Sequence, residues 1–155
     1  MPNILLTRID NRLVHGQVGV TWTTSLGANL IVVADDLVVN DKLQQSLMKM
    51  TADSAGVQIR FFTIDHTIEI IGKASPAQKI FLVCKTPTEA KRLIEGGVPI
   101  TEVNVGNMHF TPGKRPLSKK VYVDDEDLEN LKFIKSKGIN IYIQDVPGDL
   151  KEYIK

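Results

Sequence analysis

The chain has 155 residues, with 19 Lys and Arg against 18 Asp and Glu, a net charge of +1 and 43% hydrophobic residues. That length and balance fit a single domain over residues 1–155 with a core of its own, needing neither a metal nor a disulfide as staple. A nearly neutral chain gives no footing for nucleic-acid binding, and the one cysteine, Cys84, excludes an internal disulfide and fits a cytosolic location.

Ile4 to Ile9 is the first predicted strand, apolar and β-branched. Val14, Val18, Trp22 and Leu26 recur every four residues and predict a helix with one core stripe. Leu30 to Ala34 is a second strand. Asn40 then caps a helix whose face carries Leu43, Leu47 and Met50. Gln58 to Thr63 is a strand, Asp65 caps a short helix from His66 to Lys73, and Pro76 stops it. Lys79 to Cys84 is a continuous apolar strand, so Cys84 reads as a buried small hydrophobe. Thr86 followed by Pro87 opens a helix to Glu95, closed by Gly96-Gly97.

Glu102 to Val105 is a strand, and Gly106 to Pro116 is a loop with two prolines and two glycines. Lys120 to Val123 follows without a crossover helix, so it is expected to run antiparallel to the rest. Asp124 caps a helix to about Lys137 that stops at Gly138, Ile139 to Gln144 is a strand, and Asp149 to Ile154 is a short last helix. Strands that are apolar on both faces, alternating with helices, predict an α/β fold. The sheet is open and mostly parallel, with about seven strands, one of them reversed, and helices on both faces. No apolar run approaches the roughly 18 residues of a membrane span. The N-terminus has no basic region or apolar core of a signal peptide.

Open α/β sheets place their sites beyond the carboxyl ends of the strands. Asp10 to Gln17, Asp35-Asp36, Lys85-Thr86 and Asn107 to His109 fall there. The first of these runs carries the strongest chemistry: Arg8-Ile9-Asp10-Asn11-Arg12-Leu13-Val14-His15-Gly16-Gln17-Val18. Neutral imidazole is a nucleophile near pH 7, and a transferring phosphoryl group needs cations and positioned N–H groups around it. Arg12, three residues before His15, and Arg8 at the strand end supply cations. Gly16 allows close backbone approach, and the amides around Gln17 lie at a helix N-terminus. Asp10 has the charge to orient either an arginine or the imidazole, and the sequence does not choose between them.

Outside this run, His66 is expected to be solvated and His109 to lie in the long loop as a supporting phosphate contact. The three histidines and one cysteine have no metal-ligand spacing, and no glycine-rich nucleotide loop or serine-hydrolase elbow is present, so neither metal nor cofactor is expected. Lys114, Arg115, Lys119 and Lys120 form a basic cluster, read as a solvated loop or as a dock for an acidic surface. A hydrolase would need a general acid, for which Asp35, Asp36 or Asp10 are candidates, but Val14 rather than Arg precedes His15, unlike the histidine phosphatases. A non-catalytic domain whose phosphorylation is read by a regulator would need the same histidine.

The run from Arg8 to Val18 closely resembles the active loop of IIB components of the bacterial sugar phosphotransferase system, in the mannose/fructose/sorbose family. The resemblance spans essentially the whole chain, continuing through Ala34-Asp35-Asp36, Gln44 to Met50, Leu82-Val83-Cys84-Lys85-Thr86-Pro87 and Asn104-Val105-Gly106-Asn107-Met108-His109. It implies that His15 takes a phosphoryl group from a phosphohistidine on IIA and passes it to a sugar carried by the membrane components IIC and IID. Arg12 would stabilise the phosphoryl group and Asp10 would support the loop. Arg8, Gly16, Gln17, Lys85, Thr86 and His109 would assist. The protein would then be cytoplasmic and held at the inner face of the membrane through IIC and IID. The last two segments are most similar to members assigned to N-acetylgalactosamine or galactosamine; mannose, fructose and sorbose stay open. Asn11 receives no role, and nothing in the sequence decides between a monomer and a homo-oligomer.

Overall fold

The structure, a computed structural model, describes residues 2–154. In chain order the elements are β1 (Asn3–Asp10), α1 (Gly16–Leu26), β2 (Leu30–Ala34), α2 (Lys42–Ala55), β3 (Gln58–Phe62), α3 (Ile64–Ile70) and β4 (Lys79–Cys84). There follow α4 (Pro87–Glu95), β5 (Glu102–Asn107), β6 (Arg115–Ser118), β7 (Val121–Val123), α5 (Asp125–Ser136), β8 (Asn140–Ile143) and β9 (Glu152–Tyr153). Seven strands form one sheet in the order β3-β2-β4-β1-β5-β8-β9, parallel except for β9.

Alternation along the strands divides the core into two layers. Ile31, Val33, Phe81 and Val83 pack with Trp22 of α1 and with Met48 and Ala52 of α2 on one face. Leu30, Val32, Ile80, Leu82 and Cys84 join Ile64, Ala90, Leu93, Leu131 and Ile134 of α3, α4 and α5 on the other. Strands buried on both sides need continuous apolar runs, which is why they could be read from the sequence. From β1 the chain steps toward β2 and β3, whereas from β5 it steps toward β8. The direction of winding thus reverses between β1 and β5, and open α/β sheets bind their ligands at such a point.

Several expectations are corrected. Lys120–Val123 is not in the main sheet: its core, β7, pairs antiparallel with β6 in a separate hairpin carved from the expected loop, touching β5's end through a Met108–Val121 bridge. The reversed strand of the main sheet is β9, where a helix over Asp149–Ile154 was expected. Six residues are too few to nucleate a helix unaided, and the open edge of β8 offers Tyr142 as partner for Tyr153. The cap of α2 is Asp41, whose carboxylate accepts from the Gln44 N–H at 3.1 Å, not Asn40. The cap of α3 is Thr63, not Asp65. Leu43, Leu47 and Met50 form an exposed ridge of α2, while the buried face is Met48, Thr51 and Ala52. The caps Thr86 and Asp124 stand as expected, the latter in a reciprocal capping box with Asp127. No helix among the described residues is long and apolar enough to cross a membrane.

Candidate active site

β1 delivers Arg8 and Asp10 at its carboxyl end, and the turn after it returns the chain into α1 with His15 as N-cap residue. Two residues of that turn are left-handed: Leu13 at φ 58° and Gly16 at φ 47°. Gly16 has open space where a Cβ would stand, and its positive φ is the conformation glycine adopts without strain. Leu13 has no such freedom. It is held there by burial and by its N–H donating to the Asp10 carbonyl at 2.9 Å, a strained conformation of the kind found at functional sites.

Asp10 is fully buried, and both of its oxygens are engaged. Oδ1 accepts from the Arg12 backbone N–H at 2.8 Å. Oδ2 lies 3.1 Å from His15 Nε2 and accepts from Arg8 Nε and Nη2 at 3.3 and 3.1 Å. Burial alone would raise the Asp10 carboxyl, but the His15 hydrogen bond, the Arg8 charge and the Arg12 N–H together hold it below the usual carboxylate value. An ionised carboxylate only accepts, so His15 carries its proton on Nε2 in this pairing. In the neutral ring this leaves the lone pair on Nδ1, which has no hydrogen-bond partner among the described residues. The first N–H groups of α1 lack intrahelical acceptors, so the ring stands at the positive end of a helix.

His15 lines a cleft of about 720 Å³ together with Arg12, Gly16, Gln17 and the α2 residues Leu47 and Met50. Arg12 is exposed, and its guanidinium makes no hydrogen bond or ion pair among the described residues. Arg8 is 2% exposed, its guanidinium held by Asp10, Asn104 and the Gln144 carbonyl. Lys85 and His109 do not line the cleft. Lys85 lies 3.7 Å from Asp35, and the Thr86 hydroxyl is occupied by the α4 cap and Glu89.

Asn11, unassigned from sequence, ties these loops together. Its Nδ2 donates to the Lys85 carbonyl at 2.8 Å, its Oδ1 accepts from the His109 N–H at 2.7 Å, and its own N–H donates to the Asn107 carbonyl at 2.9 Å. Of the candidate general acids, Asp10 holds His15, while Asp35 and Asp36 are committed elsewhere. Asp35 accepts from the Val38 N–H at 3.0 Å, and Asp36 accepts from the Ile64 N–H and pairs with Arg92. Three of the four residues in the basic cluster pair with acids of this chain: Lys114 with Asp127, Arg115 with Asp125 and Lys120 with Asp145. Cys84 is buried, and burial pushes its thiol well up, away from the reactive thiolate. His66 is exposed, with its ring edge-on to Phe62. No metal-holding cluster occurs among the described residues.

Residues 4–155 match the model of the PTS system sorbose subfamily IIB component. The chain is 65% identical to the N-acetylgalactosamine-specific phosphotransferase enzyme IIB component 1 of Escherichia coli K12, over 99% of this chain and 97% of that one. The crystal structure of the PTS system N-acetylgalactosamine-specific IIB component 1 from Escherichia coli superposes with a TM-score of 0.96 at 65% identity, covering 99% and 100% of the two chains. The mannose-specific EIIAB component of Escherichia coli K12 is 36% identical over 94% of this chain and 45% of its own length. Fold and matches together define a IIB component of the sugar phosphotransferase system, and hence a phosphotransferase. Within that class the chain belongs to the sorbose subfamily.

Proposed function

We propose that His15 is the phosphoryl relay of this IIB domain, which spans residues 1–155. Its Nδ1 attacks the phosphorus of a phosphohistidine on IIA; the donor's N–P bond breaks as the new one forms. In the second step a sugar hydroxyl, presented by IIC and IID at the cytoplasmic face of the membrane, attacks the same phosphorus. The hydroxyl proton passes to solvent water, and Nδ1 leaves with the electron pair of the broken N–P bond. The observation that carries this reading is the 3.1 Å pairing of His15 Nε2 with buried Asp10, which leaves Nδ1 as the nucleophile.

When Nδ1 bonds to phosphorus the ring gains positive charge, and the Asp10 carboxylate stabilises it through Nε2–H. Arg12 and the amides of residues 16–18 accept the charge spread over the phosphoryl oxygens. Gln17, Lys85 and His109 act from the edge of the site, and Gly16 by permitting the turn. The donor already carries an activated N–P bond, so neither ATP nor a metal has a part in the transfer. IIA as donor is supported by the relative whose name joins A and B components in one chain. N-acetylgalactosamine is the proposed sugar, supported by the 65% identity to a component named for it.

Incubation with phosphoenolpyruvate, the upstream phosphotransferase proteins and a cognate IIA tests the relay by intact mass. One phosphoryl group gained by the wild type and none by His15→Ala is the expected result; phosphorylated His15→Ala would overturn it. With IIC and IID membranes added, N-acetylgalactosamine should be phosphorylated ahead of mannose. Phosphorylation of the protein without any transfer to sugar would favour the regulatory reading.

A further inference from the structure

Arg8 buries a full positive charge at 2% exposure, and all three of its side-chain nitrogens donate. Nε and Nη2 hold Oδ2 of Asp10, while Nη1 donates to Asn104 Oδ1 at 2.6 Å and to the Gln144 carbonyl at 3.2 Å. Asn104 is itself fixed by donating to the same Gln144 carbonyl at 3.0 Å. The guanidinium stands 5.3 Å over the Trp22 ring and 3.8 Å from Asp145, whose carbonyl accepts from Trp22 Nε1. A Cβ added at Gly106 would lie 2.0 Å from Arg8 Cζ, so β5 is kept bare to admit the planar group. This is costly construction: isolated buried charges are unfavourable, and apolar side chains often fill such sites with equal or better stability. The geometry has a directional consequence that packing alone would not require. β5 and Gln144, the residue after β8, fix the plane of the guanidinium, the guanidinium fixes Oδ2, and Oδ2 is the atom that meets His15 Nε2.

We propose that Arg8 is a positioning residue for phosphoryl transfer, which never touches the phosphoryl group but sets the Asp10 oxygen that selects the tautomer and angle of the His15 ring. Asn104 and Gly106 are the parts of β5 that aim it. This inference rests on the relay reading of His15. A lysine would keep the charge but, as a point donor on a flexible stem, could not hold Asp10, Asn104 and the Gln144 carbonyl in one plane.

The test uses the intact protein and its phosphorylated IIA donor, with Arg8→Lys, Gly106→Ala and the double variant Arg8→Lys/Asp10→Asn. Three quantities are read: the transfer rate, the affinity for the donor, and the tautomer of His15 from the ¹⁵N shifts of its ring. Wild type should show predominantly Nε2–H. Arg8→Lys and Gly106→Ala should lose that preference and transfer about 10²-fold more slowly, the scale of a misplacement near 1 Å, with donor affinity unchanged. Adding Arg8→Lys to Asp10→Asn should slow transfer little beyond Asp10→Asn alone, because both changes break one chain of contacts. Wild-type tautomer and rate in both single variants, or losses that multiply in the double variant, would overturn the proposal. A wild-type ring with its proton mainly on Nδ1 would overturn it without any variant. A wild type that takes up no phosphate at His15 would instead remove the relay reading beneath it.

Discussion

Beneath His15, Arg8 and Asp10 are 2% and 0% exposed and fully bonded, whereas Arg12, which lines the cleft of the same site, stands in solvent. The two regions divide the work of a relay. A group that must take up a phosphoryl and then release it gains from a fixed ring angle, so the floor is dry, charged and rigid. It would lose from an overly firm grip on the phosphoryl group, which would stabilise the phosphorylated state as much as the transition state. Arg12, unpaired among the described residues, can engage and let go, and the rotamer entropy it loses on engaging keeps that grip loose.

The largest effect that would sharpen this contrast is at the floor. Asp10→Asn keeps the shape of the side chain but presents the ring with a group that can also donate, so the tautomer is no longer imposed. Transfer to His15 should fall by about 10²–10⁴-fold with the fold retained, measured as the single-turnover rate from phosphorylated IIA. A variant within a few-fold of wild type would leave the floor without a role. Next comes the rim. Arg12→Ala should slow the same step by about 10²-fold while donor affinity stays near wild type, because a charge aimed at the transition state contributes little to docking. Equal losses in rate and affinity would make Arg12 a docking residue and dissolve the contrast.

Smaller effects follow in the turn that joins the two regions. Gly16→Val forces a β-branched residue to φ 47° and should cost roughly 1–2 kcal/mol, seen as a lower transfer rate and a modest fall in Tm with cooperative unfolding intact. Asp124→Ala, which removes the capping box of α5, should cost about 1 kcal/mol of stability and leave the transfer rate unchanged. The pH dependence has a fixed sign. The Asp10 carboxyl is held below its ordinary value, so in acid the unfolded chain binds this proton first. The stability it contributes is fully present above about pH 4 and is lost as pH falls through the lower folded value. The stability difference between wild type and Asp10→Asn should therefore shrink below about pH 4 in parallel urea titrations. A difference that grew in acid would contradict the assignment.

The two regions also differ in how far the sequence reveals them. Asp10, Arg12, His15 and Gly16 lie within one turn after a strand, so a contiguous run of seven residues displays the nucleophile and its nearest partners. The parallel strands were legible for a related reason, since burial on both faces demands unbroken apolar runs. What stayed hidden depends on register between distant segments. Arg8 reads as a cation at a strand end until Asn104, Gly106 and Gln144 are brought beside it. Asn11 reads as a neutral position until its side chain is seen holding the loops of Lys85 and His109. One sequence signal was available: Gly106 falls inside the strand, and a strand glycine marks the close approach of another group. The last strand was missed because it is two residues long and exists only by pairing with β8. The ridge of Leu43, Leu47 and Met50 has helical spacing, and spacing alone does not say which face of a helix is covered.

The most direct measurement is ³¹P–¹⁵N coupling in the phosphorylated protein, labelled with ¹⁵N in its histidine rings. Coupling of phosphorus to Nδ1 of His15, with the proton retained on Nε2, is the expected result. Coupling to Nε2 would contradict it, because that nitrogen would have to abandon Asp10, and the buried floor would then hold the ring in the wrong sense for transfer.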